Sequence, residues 1–170
     1  MPSPNKKTEM KRDRTGKGIG RLGMVGLKST LGNHWSALTV HEGPGREVSW
    51  DQSLDQYTVR DLEGSKLAWT ELQPLKVMRI RMENGELLPD FAIQKGWLRR
   101  YKHLTIGGEN LRPVFMLEGN IRVVGNEIIR VEHRDFKSEV TYICTPEMEM
   151  AALVVAFLVF NTPNCGGKSG

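Results

Sequence analysis

Four firm bases and two aromatic residues crowd into Lys95-Gly96-Trp97-Leu98-Arg99-Arg100-Tyr101-Lys102-His103. The planar guanidinium forks of Arg99 and Arg100 suit phosphate oxygens, and the ammonium groups of Lys95 and Lys102 add point charge. Trp97 has the amphipathic ring that settles at lipid headgroup level or stacks on a base. Lys95, Trp97, Arg99, Arg100 and Lys102 are therefore the candidate anion- or lipid-binding residues. The competing reading is a solvated basic turn whose Trp97 packs on the edge of the core.

No other constellation carries chemistry as well. Gly18-Ile19-Gly20-Arg21-Leu22-Gly23 fits the G-x-G-x-x-G expression, but that fingerprint binds pyrophosphate only between a strand and a helix of a βαβ unit. A charged stretch precedes it here and no ribose-binding acid follows, so it reads as a flexible glycine linker. His34, His41, His103 and His133 lack metal-ligand spacing, and no Cys-x-x-Cys occurs. His133 reads as part of a charged hairpin turn, Val131-Glu132-His133-Arg134-Asp135. Cys144 lies in an apolar run and reads as a core residue, whereas Cys165, in a Gly-rich tail, reads as an exposed thiol. With no Gly-x-Ser-x-Gly elbow either, neither catalytic residue, metal nor cofactor is expected.

Charge is distributed unevenly. Residues 1–28 hold eight bases against Glu9 and Asp13, a net of +6, so the remaining residues carry −2 of the overall +4. The pI of about 9.2 thus belongs to an N-terminal arm. Such an arm binds anionic lipid or nucleic acid, or serves as a solubilising tail. No base-reading module accompanies it, so nucleic acid is disfavoured as a partner. The first apolar cluster, at 19–27, is interrupted by glycines and an arginine and does not form the h-region of a secretory signal. Cytoplasm or nucleus is the expected location, with peripheral membrane association through the basic cluster.

The elements that must position the cluster follow from periodicity. Residues 1–32 read as a disordered, basic, glycine-containing arm and 163–170 as a flexible tail. From 33 to 162 short apolar alternations recur between turn residues, about ten strands in all. Met78, Ile80 and Met82 alternate with Arg79 and Arg81, the period of two of a half-buried strand. Gly64 and Gly85 mark hairpin turns. That rhythm, with no amphipathic helices between strands, predicts a mainly β antiparallel barrel or sandwich.

One segment departs from it. Thr145-Pro146-Glu147 has the grammar of a helix start, a hydroxyl cap followed by Pro at the first helical position and an acid in the first turn. Every residue from Met150 to Phe160 is apolar, and a helix apolar all round has no face suited to water. Its eleven apolar residues reach about 16 Å, short of a bilayer core of about 30 Å, so no transmembrane span is expected. A buried core helix over 146–160 is the leading reading, beside a membrane-dipping segment or a strand.

This combination resembles the tubby C-terminal-like superfamily, which includes tubby, the plant LURP-one-related proteins and the phospholipid scramblases. A closer likeness is to a group of small fungal proteins of the same superfamily. The residues that carry it are Gln94-Lys95-Gly96-Trp97-Leu98-Arg99-Arg100, Gly107-Gly108-Glu109-Asn110-Leu111-Arg112-Pro113-Val114-Phe115, Ile129-Arg130-Val131-Glu132-His133, and the hydrophobic stretch from Pro146 through Phe157. The likeness covers about residues 50–162. It implies a β-barrel closed around the C-terminal helix and a non-catalytic intracellular domain. It also implies docking on anionic phospholipid, since tubby domains bind phosphoinositides at a basic surface. The cysteine-rich and calcium-binding segments of scramblases are missing, so lipid scrambling is not implied. A protein-interaction or structural module without ligand is the alternative, its protein partner unspecified.

Overall fold

The structure, a computed structural model, describes residues 11–12, 18–23, 37–42, 45–51, 53–95, 101–111, 116–118, 121–134 and 139–161. Among them are fourteen strands. The first seven are β1 (Lys11–Arg12), β2 (Gly18–Gly23), β3 (Ala37–Glu42), β4 (Arg46–Asp51), β5 (Gln56–Asp61), β6 (Lys66–Gln73) and β7 (Val77–Met82). The rest are β8 (Phe91–Lys95), β9 (Tyr101–Ile106), β10 (Glu109–Leu111), β11 (Met116–Glu118), β12 (Ile121–Gly125), β13 (Ile129–Arg134) and β14 (Glu139–Cys144). One helix, α1 (Glu149–Asn161), follows a 3-10 turn at Pro146–Met148.

The fold is mainly β and antiparallel throughout, in a single hydrogen-bonded path: β10-β9-β8-β7-β6-β5-β4-β3-β2-β14-β13-β12-β11, with β1 beside β2. The path curls back on itself. β10 ends at Leu111 and β11 begins at Met116, and five peptide steps reach at most about 18 Å. The thirteen strands of the path, laid flat at about 4.8 Å spacing, would span about 58 Å. Its two margins are accordingly brought together. Asn126, in the β12–β13 turn, donates from Nδ2 to the Ile106 carbonyl of β9 and to Glu109 Oε2 of β10, each at 3.0 Å.

Inside the curl lies α1. Every side chain from Met150 to Phe157 is buried, as is the inward face of the strands, including Val48, Ile80, Ile93, Ile129 and Tyr142. The helix packs on β4 and β5 and on β13 and β14, and the Phe157 ring meets Tyr57 edge-on at 5.4 Å. An all-apolar helix is thus satisfied by walls on all sides.

Several expectations are corrected. The arm expected over 1–32 contributes β1 and β2, and β2 lies between β14 and β3 rather than outside the sheet. Glycine has no side chain to pack against neighbours, which hides such a strand from periodicity. Here Gly18 and Gly20 stand opposite the buried residues Cys144 and Tyr142. The other expectations for 1–32, and the tail 163–170, fall outside the described residues. The helix begins at Glu149 instead of 146, and Thr145 offers no side-chain cap. Its carbonyl accepts from Met148 N at 3.0 Å instead, closing a 3-10 turn. His133 is in β13 and buried, its ring 5.1 Å from that of Phe160, not in the charged hairpin turn expected there.

Candidate functional site

Antiparallel neighbours place successive turns at alternate ends of the molecule. The β4–β5 and β6–β7 turns share one end, hereafter the Leu75 end, with the last residue of β8 and the first of β9. The opposite, Glu149 end holds the β5–β6, β7–β8, β9–β10 and β12–β13 turns and the start of α1.

At the Leu75 end the turns are built firmly. Asp51 ends β4, and its Oδ1 accepts from Ser53 Oγ at 2.7 Å, Ser53 N at 2.9 Å and Leu54 N at 3.3 Å. This is a carboxylate cap of its own turn, and the Ser53 hydroxyl, first among these donors, holds the carboxyl below its ordinary value. Leu54 is thereby turned outward, 67% exposed. Asp55, at a φ of 49°, accepts the Trp50 indole N–H on Oδ1 at 3.0 Å. Its Oδ2 pairs with the Lys95 ammonium.

The β6–β7 turn is stranger. Leu75 and Lys76 both adopt left-handed backbone, with φ of 65° and 59°, a conformation that costs a branched or long side chain energy and persists only where its surroundings demand it. Gln94, on β8, donates from Nε2 to the Leu75 carbonyl at 2.7 Å. Leu75 stands 86% exposed and Leu72, near the end of β6, 58%. Through Gln94 and Lys95 the end of β8 is tied to both turns, so Leu54 and Leu75 belong to one braced surface.

Of the five residues singled out by sequence, Lys95 ends β8, and its side chain is only 12% exposed because it is committed to Asp55. It anchors the root of the basic segment. Trp97, Arg99 and Arg100 lie outside the described residues. Lys102 is in β9, and its side chain is likewise outside them. Flanking residues Lys95 and Tyr101 set this segment's ends beside the Leu54 and Leu75 turns. Sequence reasoning missed the three leucines. The available signal was an isolated leucine within a turn, in Asp51-Gln52-Ser53-Leu54-Asp55 and in Pro74-Leu75-Lys76, where burial has nothing to offer it.

The Glu149 end has opposite electrostatics. Glu63, Glu83, Glu86, Asp90, Glu109, Glu127 and Glu147 are exposed in its turns and strand starts, and among the described residues there only Lys66 and Arg130 are exposed bases. Beneath them Arg46 donates from Nε and Nη2 to Glu149 Oε1, both at 3.4 Å. Neighbouring Cys144 is buried, and burial, followed by Glu149 and Glu147, pushes its thiol up to about 12. A thiol held protonated is a poor nucleophile. Tyr142 is raised well above its ordinary value by burial and then by Glu149. The G-x-G-x-x-G run is β2 itself, paired antiparallel with both β14 and β3, whereas the dinucleotide fingerprint is a turn that follows a strand of a parallel sheet.

Among the described residues no group of three His, Cys, Asp or Glu side chains could hold a metal ion, and no helix is long and apolar enough to cross a membrane. Compared with known proteins, the chain matches no family model, no curated protein and no solved structure.

Proposed function

We propose that this chain forms a tubby-like barrel and acts as a non-catalytic intracellular domain that docks on anionic phospholipid. Support for the barrel is the return of the sheet's margins to one another at Asn126 around an apolar helix. Support for docking is the polarity of the molecule. The segment holding Trp97, Arg99, Arg100 and Lys102 is rooted at one end, by Lys95, while seven exposed carboxylates crowd the other. A negative membrane surface attracts the first end and repels the second, so the charge arrangement orients as well as binds.

In this reading Arg99 and Arg100 grip phosphate oxygens, Trp97 anchors among the headgroups and Lys102 adds charge. Lys95 positions them through its bond to Asp55. The test is sedimentation with vesicles of phosphatidylcholine alone, with added phosphatidylserine, or with added phosphoinositide. Binding to the anionic vesicles alone is expected, weakening with salt. At about 1 kcal/mol per base near such a surface, Arg99→Ala with Arg100→Ala weakens it roughly thirtyfold. Equal binding by the double variant, or none by the native chain, overturns the reading and leaves a protein-interaction module.

A further inference from the structure

We infer that Leu54 and Leu75 insert into the anionic bilayer, their two hairpin tips passing below the headgroups while Leu72 and Lys76 stay at the contact line. This rests on the lipid-docking reading and adds how the surface is gripped and which way the molecule stands.

The tips have the shape and chemistry for it. Leu54 and Leu75 are 67% and 86% exposed, each at the summit of its own turn rather than along a groove. Separate apolar projections penetrate a soft interface, whereas a folded protein partner calls for a continuous complementary face. Leu75 is held outward by left-handed backbone that a leucine does not choose freely. Neither tip has to be ordered on arrival, because Asp51 caps the Leu54 turn, Gln94 holds the Leu75 carbonyl, and Lys95 joins β8 to Asp55. Such preorganisation removes part of the entropic cost of binding.

Charge decides that the partner is anionic lipid. Lys76, exposed beside Leu75, presents an ammonium to the headgroups. At this end Asp55 is paired with Lys95, which leaves Asp51, held by Ser53 and Leu54, as the single exposed carboxylate among the described side chains. Against that one, seven exposed carboxylates collect at the Glu149 end, away from the surface. Leu62 supplies an internal control. It is equally exposed, at 64%, but it lies in the acidic β5–β6 turn and stays in water.

The experiment uses the full chain carrying Cys165→Ser, with Leu54→Cys, Leu75→Cys or Leu62→Cys added singly and labelled with an environment-sensitive nitrobenzoxadiazole probe. Vesicles are phosphatidylcholine with phosphatidylserine, with or without doxyl-labelled phosphatidylcholine. Probes at 54 and 75 shift to shorter wavelength and are quenched by the doxyl lipid, while the probe at 62 does neither. In parallel, Leu54→Ser with Leu75→Ser lowers vesicle partitioning roughly tenfold or more with an unchanged circular dichroism spectrum. The binding that remains disappears at about 0.5 M salt, where surface charge is screened. If the chain binds vesicles but the probes at 54 and 75 remain in water, or the probe at 62 is quenched instead, insertion is overturned and lipid docking stands. If the chain binds no anionic vesicle, both fall together.

Discussion

Glu71 shows how a single outward residue on the sheet takes its chemistry from its neighbours. Its Oε2 accepts from Arg81 Nε at 2.6 Å across the β6–β7 ladder and from the Trp69 indole at 3.1 Å. Arg81 above all holds the Glu71 carboxyl below its ordinary value of 4.5; burial opposes it, and the Trp69 indole adds a smaller lowering effect. A depressed carboxylate contributes stability that is present above the unfolded value and lost as pH falls through the folded one. Glu71 should therefore titrate below 4.5 by carboxyl-detected NMR, and Arg81→Met should return it toward 4.5 and flatten the acid limb of the stability curve. An unchanged titration in Arg81→Met would show that the guanidinium is not the cause. Lys66 over the Trp69 ring, 5.4 Å from its centroid, extends the same row. These residues were legible as an outward face, since Arg79 and Arg81 alternate with Met78 and Ile80. Their partners were not, because Glu71 and Arg81 meet only through strand register. The candidate site divides in the same way. Its bases stand in a visible cluster, whereas the commitment of Lys95 to Asp55 joins residues forty positions apart.

Among the elements, α1 is where sequence and structure agree most closely. An unbroken apolar run leaves no face for water, and the structure encloses Met150 to Phe157 completely. Truncating Leu153, wholly buried against its neighbours, to alanine should cost about 2–5 kcal/mol, measured by urea denaturation. Leu153→Asp introduces an unpaired interior charge and should yield no folded protein. A folded, soluble Leu153→Asp variant would mean that the helix is not the core. β2 is the counterexample. Its three glycines mask any alternation, and only the ladder bonds to β14 and β3 make it a strand. The helix start differs for a related reason: the Thr145-Pro146-Glu147 signal marks a turn correctly, but the next residues tighten into 3-10 geometry before the α-helix begins.

For the whole molecule, curvature is the governing property. Asn126 draws the sheet's margins together with one amide, and its Oδ1 also accepts from Ile128 N at 2.8 Å and Ile129 N at 3.2 Å. Those bonds shape the turn that presents Nδ2 to β9 and β10. Asn126→Ala removes the turn and the clasp together and should cost roughly 1–3 kcal/mol, with faster amide hydrogen exchange concentrated in β9, β10, β12 and β13. Uniformly faster exchange, or none, would mean that the margins are held by other contacts. Antiparallel pairing sorts the turns into two ends, and from that sorting comes the contrast between braced, leucine-tipped turns and carboxylate-lined ones.

By itself the sequence determined the mainly β antiparallel class, the buried terminal helix and the position of the basic cluster, because periodicity, hydropathy and charge are local properties written within a few residues. Only the tertiary structure decided that Gly18–Gly23 joins the sheet, that Lys95 is spent on Asp55, and that Leu54 and Leu75 share an end while most exposed acids among the described residues stand at the other. Each of these depends on which strands become neighbours, and pairing between distant segments leaves no mark in any one of them.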